Sequence, residues 1–99
     1  MLFVIDCADK PDHLNIRLEH RQAHLEFLKN FEAQLIMAGP FLDADDNMVG
    51  SMLVMDFASG DEAQAFCDAD PYGQAGLFES VRIRPWRKVL PTPSADHPH

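Results

Sequence analysis

The chain has 99 residues, 46% of them hydrophobic, and a formal net charge of −8. That is enough apolar material for one domain, or one half of an assembled pair, and too much for a disordered polymer. The acidic balance argues against nucleic acid and against anionic membrane surfaces as partners.

The opening MLFVIDC (1–7) is a continuous apolar run and reads as a strand buried on both faces. It has neither the basic lead nor the cleavage site of a secretory signal. No apolar stretch reaches the roughly 18 residues of a membrane span. Cys7 and Cys67 have no metal or redox spacing, so they are expected to be small buried hydrophobes in a reducing cytoplasm. Asp9, Lys10, Pro11 and Asp12 break the first strand. Helical periodicity follows over about 14–33. QLIMAGPF (34–41) is a short strand, DADDN (43–47) an acidic turn with no hydrophobic anchor and expected to be mobile, and GSMLVMDFA (50–58) a third strand, again apolar on both faces. Ser59 caps a second helix with Glu62 in capping-box position, and that helix runs to about Asp70. YGQAGLF is an irregular link, and ESVRIRPWRKVL (79–90) is the last strand. Its basic residues Arg82, Arg84, Arg87 and Lys88 read as a solvated strand end. The proline-rich residues 91–99 are expected to be a disordered tail.

The order β-α-β-β-α-β predicts an α+β, ferredoxin-like fold with a four-stranded antiparallel sheet. Two helices cover one face of such a sheet. Leu2, Phe3, Val4 and Ile5, like Met52, Leu53, Val54 and Met55, leave no polar side for the other face. A second copy of the chain is the economical cover, so a homodimer or higher homo-oligomer is expected.

On a helical wheel, Asn15, Glu19, Gln22, Glu26, Lys29 and Asn30 share the solvent half of the first helix. Leu14, Leu18, Leu25, Leu28, Phe27 and Phe31 share the other half, together with Arg17, His20, Arg21 and His24. Rim positions, with the charged heads reaching water, suit Arg17 and Arg21. His24 falls near the middle of the apolar arc, where an unpaired polar group is costly. It is either a core histidine bonded to a backbone carbonyl or a functional group. His20 and His24 have the spacing of helical metal ligands, but the glutamate of HExxH and a third ligand are missing, so no metal is expected.

In the second helix Ala63, Phe66 and Cys67 mark the inner stripe, and Asp70 continues it at i+3 and i+4. A carboxylate at a helix C-terminus is disfavoured by up to roughly 1 kcal/mol, so Asp70 is either a solvated turn residue or held by a partner. In this fold both helices lie on one sheet face, which allows His24 to be that partner. Pro71 pushes Asp70 out of the α region. Tyr72 either caps a pocket or packs.

These residues resemble the YciI-like (YCII-related) proteins over about residues 1–90. The resemblance rests on the opening MLFVIDCADKPD, the helix RLEHRQAHLEFL with its R-x-x-x-R-x-x-H-L pattern, the turn IMAGPFLD, the strand GSMLVMDF, then DEAQAFCDADPYGQAGLF and the close VRIRPWRKV. It implies a dimeric α+β barrel of ferredoxin-like protomers and an active-site histidine–aspartate pair, which maps onto His24 and Asp70. It implies no particular reaction, although the wider barrel class includes cofactor-free monooxygenases.

In such a dyad Asp70 fixes the imidazole tautomer and raises the basicity of the free nitrogen. Arg17 or Arg21 would hold a carboxylate, enolate or phenolate, and Ser51 would add a hydrogen bond. The chain has neither a glycine-rich phosphate loop nor a dinucleotide fingerprint, so no nucleotide and no other cofactor is expected. Two expectations follow. One is a small cofactor-independent enzyme doing acid–base chemistry (isomerase, lyase or dehalogenase type) on a small organic acid or ring compound. The other is a non-catalytic dimeric module that binds a small anion or metabolite. An enzyme needs a free imidazole nitrogen facing an open pocket, whereas a binding module needs only positive charge.

Overall fold

The computed structural model describes residues 1–92. Its elements are β1 (Leu2–Asp9), α1 (Leu14–Lys29), β2 (Leu35–Leu42), β3 (Met48–Asp56), α2 (Gly60–Ala69), α3 (Pro71–Gln74) and β4 (Phe78–Trp86). The strands form one antiparallel sheet in the order β2-β3-β1-β4, with β1 in the middle paired to β3 and β4. This is the expected ferredoxin-like α+β arrangement.

The period-two alternation of β1 sends Phe3, Ile5 and Cys7 to the helix-covered face, where each is at most 3% exposed. Leu53, Met55 and Phe57 answer from the β3 side, and Leu28, Ala63 and Phe66 from the helices. Phe27, Phe31, Phe57 and Phe66 close one end of this layer with ring centroids 4.9–6.4 Å apart. Gly50 is required where β3 passes β1, because a Cβ there would fall on the Cys7 carbonyl oxygen. Among the described residues no helix is long and apolar enough to cross a membrane.

The elements differ from the sequence expectation in several places. α1 stops at Lys29 instead of running to about residue 33, and the following turn is closed by Phe31 and Gln34 amides on the Leu28 and Phe31 carbonyls. β4 stops at Trp86, because its partner strand ends at the opposite residue, Leu2. The link after Asp70 is not irregular throughout: it opens with the short helix α3. The acidic turn is tied to itself, with Asp43 accepting from the amides of Asp45 and Asn47 at 2.9 and 3.0 Å. These backbone bonds hold the Asp43 carboxyl below its ordinary range. The expected tail lies, from residue 93 onward, outside the described residues.

The other sheet face carries Met37 and Phe41 on β2, Met52 and Val54 on β3, and Leu2, Val4 and Trp86 at matching register positions. Met37, Phe41 and Trp86 are each at least 42% exposed.

Candidate active site

Three elements bring the polar groups together. The buried stripe of α1 reads Arg17, His24 and Leu28, so two polar side chains point at the sheet before the apolar part begins. Asp70 stands between α2 and α3 with extended backbone (φ −62°, ψ 125°), as a pre-proline residue must. It ends the first helix and caps the second, with Pro71 at the first helical position.

The carboxylate of Asp70 has two donors on one oxygen. His24 Nδ1 lies 2.9 Å from Oδ1, and the Tyr72 amide donates to the same atom at 3.0 Å. Both side chains are buried, His24 at 7% and Asp70 at 3% exposure. The carboxylate accepts, so Nδ1 carries a proton, and in the neutral imidazole Nε2 keeps its lone pair. The separation is that of a hydrogen bond.

Arg17 is not the rim residue its helical position suggested. It is 2% exposed and forms a bidentate pair with Asp9, Nε to Oδ2 at 2.7 Å and Nη2 to Oδ1 at 2.8 Å. Nη2 also donates to Ser51 Oγ at 2.9 Å. Burial works against the Arg17 charge, but the hydrogen bond and charge of Asp9 outweigh it and raise its pKa. Asp9 was read from sequence only as a strand breaker. Its signal lay in the alternation Phe3, Ile5, Cys7, which places position 9 on the same covered face.

Tyr72 joins the two groups. Its ring stacks on the His24 imidazole, with centroids 4.0 Å apart and planes 16° from parallel. The Arg17 guanidinium lies 4.7 Å from the same ring centroid. Burial pushes the phenol pKa up, by more than Arg17 and Arg21 pull it down.

Arg17, Arg21, His24, Ser51 and Tyr72 line one cavity of about 190 Å³, walled by Leu25, Leu28, Ala38, Gly39, Pro40, Met48 and Leu53. Arg21 stands exposed and makes no ion pair among the described residues. Every expected site residue therefore meets here, with Asp70 behind His24 and Asp9 behind Arg17. Among the described residues no buried side-chain nitrogen or oxygen lacks a partner. A slightly larger cavity of about 230 Å³ opens beside Asp12, His13 and Asp43. There His13 Nδ1 is spent on the Pro11 carbonyl at 2.8 Å, and Asp43 on its own turn.

The cysteines lie off this surface. Burial, aided by nearby carboxylates, raises both the Cys7 and the Cys67 thiol to about 12, so neither is a nucleophile.

Fold and site together define a ferredoxin-like α+β protein with a buried histidine–aspartate pair behind a small mixed cavity. Its family follows from comparison: residues 1–87 match the model of the YCII-related domain, and the chain belongs to that family. It is 42% identical to Protein YciI of Escherichia coli over 91% of this chain and all of that protein. An uncharacterized protein of Haemophilus influenzae is 34% identical over the same shares. Among solved structures, 5-chloro-2-hydroxyhydroquinone dehydrochlorinase from Burkholderia phenoliruptrix, in complex with 2,5-dihydroxybenzoquinone, superposes with a TM-score of 0.88 at 35% identity, covering 94% of this chain and 100% of that one. A putative antibiotic biosynthesis monooxygenase from Nitrosomonas europaea shares the fold alone, with a TM-score of 0.53 at 15% identity over 93% and 92% of the two chains.

Proposed function

We propose that this protein is an acid–base enzyme acting on a small single-ring compound, with His24 as the proton-transfer group and Asp70 as the residue that orients it. One observation carries the proposal: Nδ1 is engaged by Asp70, so the imidazole presents Nε2, and His24 lines an open cavity. A module that merely binds an anion has no need of an oriented lone pair. The cavity supports the substrate class. About 190 Å³ is close to a cavity of roughly 150 Å³ known to hold benzene, so one ring with a few substituents fits. The dehydrochlorinase relative, held with a dihydroxybenzoquinone, points to hydroxylated rings.

In the elimination form of the chemistry, Nε2 takes a proton from the ring or a ring hydroxyl. The electron pair released forms a double bond, and the leaving group departs with its own bonding pair. No electrons are gained or lost overall. Isomerisation uses the same first step and returns the proton to another atom.

Chloride release from 5-chloro-2-hydroxyhydroquinone tests this reading. The expected result is turnover by the native protein that falls by about 100-fold or more in His24→Gln. No turnover, or turnover indifferent to His24, would overturn it.

We also propose that a second copy covers the helix-free sheet face, where Met37, Phe41 and Trp86 are exposed. A stable folded species of 11.2 kDa in sedimentation at micromolar concentration would refute this.

A further inference from the structure

Resting on that reading, we propose that Tyr72 is a second catalytic residue, whose phenol donates a hydrogen bond to the substrate oxygen that becomes negative as His24 takes the proton. The chain contains one tyrosine, and it stands between the two halves of the site. Its ring is 2% exposed, stacked on the imidazole and touched by the guanidinium, so its position is set by His24 and Arg17 together.

The hydroxyl is what the packing leaves over. Its oxygen accepts from Arg17, while its own proton goes to no group among the described residues, and Tyr72 lines the cavity. Asp9 and Ser51 occupy Nε and Nη2, and the guanidinium also donates toward the Tyr72 oxygen, so Arg17 holds the phenol in place. The neutral imidazole therefore meets, on the cavity wall, the Tyr72 hydroxyl as a neutral donor, with Arg21 and Ser51 lining the same space.

That combination fits an enolisable or phenolic ring better than a simple anion. When Nε2 removes a proton from carbon, the C–H pair forms a ring C=C bond. The carbonyl π pair moves onto oxygen, and the new oxyanion accepts from the Tyr72 hydroxyl. Substrate and product differ in the position of one proton. Asp9 neutralises most of the Arg17 charge, so the phenol is the uncharged donor beside the imidazole. Burial keeps that phenol protonated, as a donor requires.

Para-nitrophenolate and nitrobenzene separate this role from packing, since they differ at the ring oxygen. Tyr72→Phe keeps the stack and removes only the hydroxyl. The native protein is expected to bind para-nitrophenolate more tightly than nitrobenzene, and Tyr72→Phe to lose about tenfold or more for the phenolate with nitrobenzene affinity unchanged. Equal losses for both probes would make Tyr72 a packing residue and overturn the proposal. An unchanged preference for the phenolate would overturn it too, while leaving the His24 reading intact. Failure of the native protein to bind either probe would overturn both. Should Tyr72→Phe not fold, a ring-fluorinated tyrosine labels this single position in the native sequence. Para-nitrophenolate should then raise the alkaline titration midpoint of the fluorine signal above that seen with nitrobenzene, and equal midpoints would overturn the proposal.

Discussion

The layer between helices and sheet has two ends held by different forces. At one end Phe27, Phe31, Phe57 and Phe66 meet as rings. At the other, Asp9, Arg17, Ser51, His24, Asp70 and Tyr72 meet through directed bonds of 2.7–3.0 Å. One helix serves both: the stripe of α1 passes from Arg17 and His24 to Leu28 within three turns. Ring packing is non-directional and tolerates small shifts, whereas the polar end is stable only while every member has its partner. The polar end therefore keeps its groups in fixed orientations, and the aromatic end supplies the stability that lets it do so.

Single substitutions should separate the two ends. Phe66→Ala, at the centre of the ring cluster, is expected to cost about 3–5 kcal/mol in urea unfolding, through lost burial and the cavity left behind. Asp9→Ala should cost nearly as much, about 3 kcal/mol, because it strands a buried guanidinium. Asp9→Leu combined with Arg17→Met should cost less than Asp9→Ala alone, since neither charge then remains buried. A second truncation added at the aromatic end should instead make matters worse. If the Asp9 and Arg17 changes simply add, the polar end is held by packing after all.

Ser59→Ala probes a region belonging to neither end. Ser59 accepts from the Glu62 amide at 3.3 Å, and Glu62 reaches back to the Ala58 amide at 3.0 Å. Its loss should lower stability by about 1 kcal/mol without altering ligand binding in the cavity.

The smallest effect at neutral pH becomes visible in alkali. Burial pushes the thiols of Cys7 and Cys67 up to about 12 in the folded chain, from an ordinary value of 9.0. Folding therefore favours their protonated form. The associated stability is full below pH 9.0 and is lost as pH rises toward 12. Urea midpoints should fall between about pH 8 and about pH 10, and less so in a Cys7→Ala variant. A Cys7→Ala curve parallel to that of the native protein would contradict this.

Much of both ends was legible beforehand, for local reasons. Strand order, the Ser59–Glu62 capping box and the placement of His24 and Asp70 on facing stripes all follow from periodicity within single elements. What escaped needed knowledge between elements. A wheel places Arg17 at a rim only if nothing on the sheet can neutralise it, and Asp9 does so from a strand eight residues away. α3 escaped because four residues are too few to show a period, and its cap is a side chain already assigned to the previous helix.

Asp70 carries a consequence for how such a protein can change. One oxygen orients the imidazole and also pins the joint between two helices, so lengthening the side chain to Glu disturbs both. Under the proposed function, the orientation of the base and the architecture share an atom, and neither can drift without the other. The cavity walls have no such double duty: Leu25, Ala38, Pro40 and Met48 touch the space without holding the dyad. Within this framework, new substrates are reached by reshaping the walls around a reactive centre that stays as it is.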